Sequence, residues 1–314
     1  LTDISADLKI SEQDLKEHLG KTRGELFAVR EQRIHPHKDD KILVDWNGLM
    51  ISALAKGAQA FDNPEYAEAA ARSADFILNT MRKPGGGLFH RYRDGETAVS
   101  GLLDDYAFLI WGLLDLYEAT FKVSYLEMAL ELNSYLLQHF RDDKAGGFYF
   151  TPDTEEVLLI RQKESYDGAL PSGNSVAMLN LLRLARITAK SDLEDKAVKI
   201  GRAFFENIKQ LPSAHSQLLA AVDFGMGPSY EVIIAGNSEA EDTKSTLKAL
   251  GKKFAPHKVA LLRPAEQESP DIIRIADFIR ELKSINGKAT AYVCLNYACQ
   301  LPTTDIDKML ELLS

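Results

Sequence analysis

Two pairs of short motifs recur at one interval. Gly86-Gly87-Leu88-Phe89 and Gly146-Gly147-Phe148-Tyr149 stand 60 residues apart, and so do Asp45-Trp46 and Asp105-Tyr106. A period of this size holds one helical pair and its connection, and such a pair can hide its apolar faces only against its neighbours. The intervening residues carry helical spacing. Leu49, Ala53, Leu54, Gly57, Ala58 and Phe61 mark one apolar, partly small face behind Asp45 or Asn47 as helix cap. Asn63-Pro64 then opens a partner helix with Tyr66, Ala70, Ala74, Ile77 and Leu78 along one stripe. LLDDYAFLIWGLLDLYEATF starts the second round, and Ser124 with Glu127 boxes its partner. SGNSVAMLNLLRLARIT starts the third, Ser191 with Glu194 opens its partner, and a fourth begins near His215-Ser216-Gln217. The fold expected is mostly α, an α/α-hairpin toroid. It is expected to be open, because a complete ring of six pairs needs about twelve helices and roughly eight precede Ser229.

From Ser229 the period changes. YEVIIAG, KVALLRP and ATAYVCL are β-rich runs separated by TKSTLKALGKKF and DIIRIADFIRELKS, and DIDKMLELL closes the chain. Strands alternating with helices predict a small parallel α/β module. The domains expected are therefore 1–228 and 229–314. At the other end, Ser11 and Asp14 open a helix through about Glu31, which His35-Pro36-His37 ends.

Composition narrows the function. A net charge of −9 argues against nucleic acid or an anionic membrane as main partner, since both need a basic face. Two cysteines cannot build a disulfide framework, which points to a reducing, cytoplasmic setting. Cys294 and Cys299 are not spaced as C-x-x-C; they read as inert packing or as an exchange partner. The longest apolar stretch is broken by acids and is too polar to span a membrane. His35 and His37 lack a third ligand at a familiar spacing, so no metal is expected. AGNSEAED does not match G-x-G-x-x-G, and neither a P-loop nor G-x-S-x-G occurs, so no cofactor is expected either.

Inner helices of such a ring point their N-termini to one rim. Asp45-Trp46-Asn47, Asp104-Asp105-Tyr106 and Ser172-Gly173-Asn174 should collect there. Asp104 and Asp105 form the candidate acid pair, and Asp45, Glu164 and Asp167 are the available partner carboxylates. His90 could act as base with Arg91 as clamp. Asp40, Lys41, Trp46, Asn47, Tyr106, Tyr166, Ser172 and Asn174 complete the expected ligand-binding set. Aromatic faces stack on sugar rings while acids and amides bond hydroxyls, so a saccharide is the expected ligand. The plainer reading of the same acids is helix capping, and of His90 a structural histidine.

HKDDKILVDWNGLMISALA, GGGLFHRY, SYDGALPSGNSVAMLNLLRL and AYVCLNYACQLPTTD together resemble the spermatogenesis-associated, thioredoxin-domain-containing protein family. The resemblance implies an N-terminal thioredoxin-like domain, a six-hairpin toroid similar to glycosidases and sugar 2-epimerases, and an α/β tail. It brings no assigned reaction. This chain begins at Leu1 and carries no thioredoxin-like segment, so it is expected to be the C-terminal portion, with that domain as a partner. Two functions follow: a ring that binds and transforms a saccharide as hydrolase or epimerase, or a non-catalytic scaffold acting with the thioredoxin-like domain. Hairpin faces left uncovered predict a homo-oligomer.

Overall fold

The computed structural model describes residues 1–155 and 159–313. It divides into two compact units, Leu1–Lys41 and Ile42–Ser314. The first contains α1 (Thr2–Leu8) and α2 (Glu12–Glu31). Ser11 caps α2 by accepting the Asp14 N–H at 3.0 Å, as the spacing predicts. Of the apolar side chains on α2, Leu15 is buried while Leu19, Leu26 and Val29 are exposed.

The second unit begins with β1 (Ile42–Leu43) and the hairpin of α3 (Val44–Phe61) and α4 (Pro64–Thr80). Strands β2 (Phe89–Arg93) and β3 (Glu96–Ser100) lead into α5 (Leu103–Thr120) and α6 (Val123–His139). The third hairpin is α7 (Gly173–Thr188) with α8 (Ser191–Ala203). After the short α9 (Phe205–Gln210), α10 (Ser216–Met226) opens the fourth round. Helices α3, α5, α7 and α10 pack side by side in that order, and α4, α6 and α8 each cover their own partner. This is the α/α-toroid arrangement.

The sequence repeat survives as a repeat of hydrogen bonds. Phe89 N donates to Met81 O at 2.8 Å, and Tyr149 N donates to Phe140 O at 2.8 Å. Inside the same two turns, Lys83 N donates to Gly87 O and Asp142 N to Gly147 O. Each glycine-led segment thus folds back on the end of its outer helix before entering the next inner one. Gly86 and Gly146 have φ of 94° and 78°, a backbone region that side chains disfavour.

Helix α5 is the centre of the unit, and almost all of it is buried. Its apolar run is explained by neighbours on every side, and no helix among the described residues is long and apolar enough to cross a membrane. Two glycines set its distance from α3. A Cβ on Gly48 would lie 2.5 Å from Phe108 C, and one on Gly112 would lie 2.6 Å from Gly48 O. The small face read from Gly57 and Ala58 lies elsewhere, because Gly57 faces only the Tyr66 and Phe61 rings.

Lower in the inner layer a buried ion network ties the helices together. Asp115 accepts from Ser52 at 2.5 Å and pairs with Arg183 at 2.8 Å and Lys56 at 3.2 Å. Arg183 also meets Glu118 at 3.0 Å. Burial pushes Asp115 up, yet Arg183 and Lys56 outweigh it and hold the carboxyl below its usual range.

The tail contains β4 (Tyr230–Gly236), α11 (Glu241–Lys252), β5 (Lys258–Pro264), α12 (Ile272–Ile275), β6 (Thr290–Leu295), β7 (Ala298–Cys299) and α13 (Ile306–Glu311). The sheet order is β5-β4-β6-β7. Among the described residues only β4 and β5 run parallel; β6 is antiparallel to β4, so the sheet is mixed and not wholly parallel as expected. The reason lies in DIIRIADFIRELKS, which the sequence pattern reads as one crossover helix. It gives only four residues of α12 before Ala276, at φ −123° and ψ 69°, breaks it. Without a crossover helix the chain returns from the opposite direction. Cys294 and Cys299 form a disulfide across the β6–β7 pair.

Candidate functional site at the rim of the inner helices

The capping at this rim comes from a neighbouring helix. Neither Asp45 nor Asn47 caps α3; its N-cap position is Leu43, which has no side-chain oxygen. Asp105, fully buried in the first turn of α5, supplies the missing acceptor. It takes the Asp45 N–H at 3.0 Å and the Leu102 N–H of its own helix at 2.7 Å. His90 Nδ1 lies 2.9 and 3.0 Å from the two Asp105 oxygens. One carboxylate therefore joins two inner helices and strand β2.

Asp104 is the adjacent residue, and it points differently. Successive helix positions diverge by about 100°, which turns Asp104 toward the start of α7. There Gly173 makes room: a Cβ at that position would lie 2.4 Å from Asp104 Oδ1. Burial pushes the Asp104 carboxyl up to about 7, and the charges of Asp105, Asp45 and Glu164 add to the rise. A hydrogen bond from the Gly173 amide opposes it without prevailing. Asp45 is raised by burial and by Asp105. His90 moves up as well, chiefly through its hydrogen bond to Asp105, so its imidazole favours the charged form.

The result is a pair of adjacent carboxyls with divided roles. Asp105 is an anchored acceptor, and Asp104 is a carboxyl able to hold or release a proton near neutral pH. Asp45, His90 and Asp105 also offer ligand atoms that all lie within 4.8 Å of one another, the geometry of a small cation site. Both Asp105 oxygens there already accept N–H groups. Trp46, beside Asp45, and Tyr166, two residues from Glu164, are 60% and 59% exposed. A cleft of about 650 Å³ lies along Glu164, Tyr166, Lys163, Asn207 and His215.

No family model matches the chain. By sequence it is 35% identical to human spermatogenesis-associated protein 20 over 303 residues, covering 92% of this chain and 38% of that protein. Spermatogenesis-associated protein 20 is therefore a homologue of this chain. The chain spans well under half the length of that relative. Among solved structures, the cellobiose 2-epimerase of Bacillus thermoamylovorans is 14% identical with a TM-score of 0.47, over 55% of this chain and 47% of that one. A GH76 alpha-mannanase of Bacteroides thetaiotaomicron is 17% identical with a TM-score of 0.44, over 60% of each chain.

The remaining expected site residues have varied placements. Asp167 accepts the N–H groups of Ser172, Gln217 and Leu218 at 2.9, 2.9 and 3.0 Å. It joins the starts of α7 and α10 much as Asp105 joins α5 to α3. Ser172 caps α7 through the Ser175 N–H. Asn174 is fully buried and clamps Phe148 through both its amide atoms, with Glu164 O as a further acceptor. Tyr106 is buried, accepts the Leu88 N–H at 2.8 Å and stacks on Tyr135. Asn47 holds Leu43 O and the Ser73 hydroxyl. These side chains are occupied in fixing backbone.

Arg91 sits one residue from His90 on β2, so the pleat sends it to the other face. Asp40 and Lys41 fall in the first unit, where Lys41 pairs with Asp39 at 3.2 Å. Asp45, His90, Asp104, Asp105 and Glu164 remain as one electrostatically coupled group. Sequence reasoning did not find Gly173 as the residue that admits Asp104. The available signal was its position, 60-odd residues after the Asp104-Asp105 pair and opening the next inner helix.

Proposed function

We propose that the rim binds a polyhydroxylated, saccharide-like ligand and that Asp104 transfers a proton to or from it. The single observation that carries this reading is the Asp104 carboxyl at about 7, beside a neighbour anchored by backbone N–H groups. A carboxyl near the working pH is suited to general acid and base roles alike. When protonated, the His90 imidazole would favour an oxygen that gains negative charge. Trp46 and Tyr166 offer apolar faces for stacking, and Glu164 offers a second carboxylate.

Two reactions use such a set. Hydrolysis needs Asp104 to protonate a leaving oxygen while a second carboxylate acts across the site. Epimerisation needs a base next to a carbonyl and a second group on the other face. A panel of mono- and disaccharides, read by thermal shift and then by product analysis, tests the reading. Asp104→Asn should abolish turnover of any ligand found, and the wild-type rate should change with an inflection near 7. Retention of turnover in that variant sinks the proposal.

A second reading, a non-catalytic scaffold working with a thioredoxin-like domain, is favoured by a different observation. Asp105, Asp167, Asn174 and Tyr106 all serve as backbone anchors. On that reading Asp104→Asn leaves ligand and partner binding unchanged.

A further inference from the structure

The Cys294–Cys299 disulfide is not explained by the fold. It links residues five apart in sequence, inside a hairpin that the β6–β7 pairing already closes. Asn296 and Tyr297, at φ 50° and 67°, form the tight two-residue turn such a hairpin prefers. A crosslink over so short a loop removes little entropy from the unfolded chain. Its surroundings point elsewhere. Cys294 is buried in β6, whereas Cys299 is exposed on β7, the edge strand of the sheet. Both line a largely apolar cleft of about 360 Å³ with Ala189, Phe278 and Tyr297. Glu231 lines the same cleft, and it is the cross-strand partner of Cys294 on β4.

We propose that Cys294–Cys299 is a redox-active site that accepts two electrons from a dithiol docked in this cleft, with Glu231 as proton donor to Cys294. A thiolate of the dithiol attacks the exposed Cys299 Sγ. The Cys294–Cys299 bond breaks, and Cys294 leaves with the electron pair and takes a proton from the Glu231 carboxyl. The second thiol of the dithiol, losing its proton to solvent, then attacks the mixed disulfide. Cys299 leaves as a thiolate and is protonated from solvent, and the dithiol departs as a disulfide.

Two neighbours hold Glu231 in place at the cleft. Its Oε1 meets Arg186 Nη1 at 3.2 Å, and its Oε2 accepts the Tyr297 N–H at 3.0 Å. Burial raises its carboxyl above the usual range, against the pull of the Tyr297 amide and of Arg186. Arg186 is fixed by Glu194 at 3.4 Å and lies over the Tyr297 ring. The β6–β7 ladder keeps both sulfurs in register after reduction, so the site can be oxidised again.

The test uses the full chain under native conditions. Dithiothreitol serves as a small dithiol and reduced thioredoxin as a protein-borne one, with alkylation and mass measurement reporting free thiols. The proposal expects reduction of the folded protein, and whichever probe acts faster at equal thiol concentration identifies the source of the dithiol. With oxidised glutathione as the disulfide partner, the Cys299 thiolate of Cys294→Ser should form a mixed disulfide and release reduced glutathione, and Cys299→Ser should do so at the buried Cys294 roughly tenfold or more slowly. Glu231→Gln should slow reduction by about tenfold at pH 7. A disulfide that resists both probes until the protein unfolds overturns the proposal, as does equal reactivity of the two single-cysteine variants. These two measurements decide the matter even if Glu231→Gln fails to fold.

Discussion

Asp104 and Asp105 share a backbone turn and carry opposite thermodynamic signatures. Asp104 has its folded value raised from 3.8 to about 7, so ionising it in the folded protein costs stability. That cost is absent below the unfolded value, grows as pH rises toward 7 and is complete above it. Asp104→Asn should therefore stabilise the protein at pH 8 by an amount on the order of a few kcal/mol and change nothing at pH 4. Urea midpoints at the two pH values measure the difference, and equal shifts at both would contradict it. Asp105→Asn should destabilise the protein. It turns an amide toward N–H donors on three elements and should cost about 3 kcal/mol, measured by the same unfolding experiment. His90 adds to the trend. Its raised value gives stability that is whole below 6.5 and lost as pH climbs through the folded value, and Asp105→Asn should remove that dependence. The sequence marked both acids as cap or catalyst. What it could not tell was which would anchor its neighbour, because the acceptor role was settled by the Asp45 amide of another helix.

At the scale of elements, the repeat was legible because it is local chemistry copied along the chain. Paired apolar stripes, glycine-led turns and polar helix starts each leave a mark within twenty residues, and their structural counterparts are the matched bonds at Met81 and Phe140. Close approach between helices left a weaker mark. Gly57 and Gly48 both sit on α3, but only Gly48 meets the α5 backbone, and nothing in a single helix pattern says which turn a distant neighbour crosses. Gly48→Ala would place a carbon within 2.5 Å of Phe108 C, an atom of a packed helix that cannot yield cheaply. It should destabilise by about 2 kcal/mol or more, with Gly57→Ala as the tolerated control in thermal unfolding. Similar losses for both would show that the α3–α5 spacing is not set by glycine. The failure of DIIRIADFIRELKS as a crossover helix has the same origin. Its apolar spacing is helical, but burial of Ile272, Ile273 and Ile279 in the core takes precedence over continuing the helix past Ala276.

Across the whole molecule, the inner layer of α3, α5, α7 and α10 carries its apolar core to an open face at α8 and α10. A cavity of about 640 Å³ lies there, and Phe205 and Met226 on it are 57% and 84% exposed. Apolar surface of this kind drives association. Sedimentation should find a dimer or larger species, and the double change Phe205→Asp with Met226→Asp should return a monomer; a monomeric wild type at high concentration would count against it. The acidic balance and the broken apolar runs were readable from composition, whereas the disulfide was not, since C-x4-C becomes a pair only when β7 folds back on β6. The whole functional account, however, depends on one carboxyl. The most direct measurement is a carbon-13 titration of the Asp104 side chain in the folded protein, assigned with Asp104→Asn. A midpoint near 7 is the result this account predicts, and a midpoint near the ordinary 3.8 would contradict it.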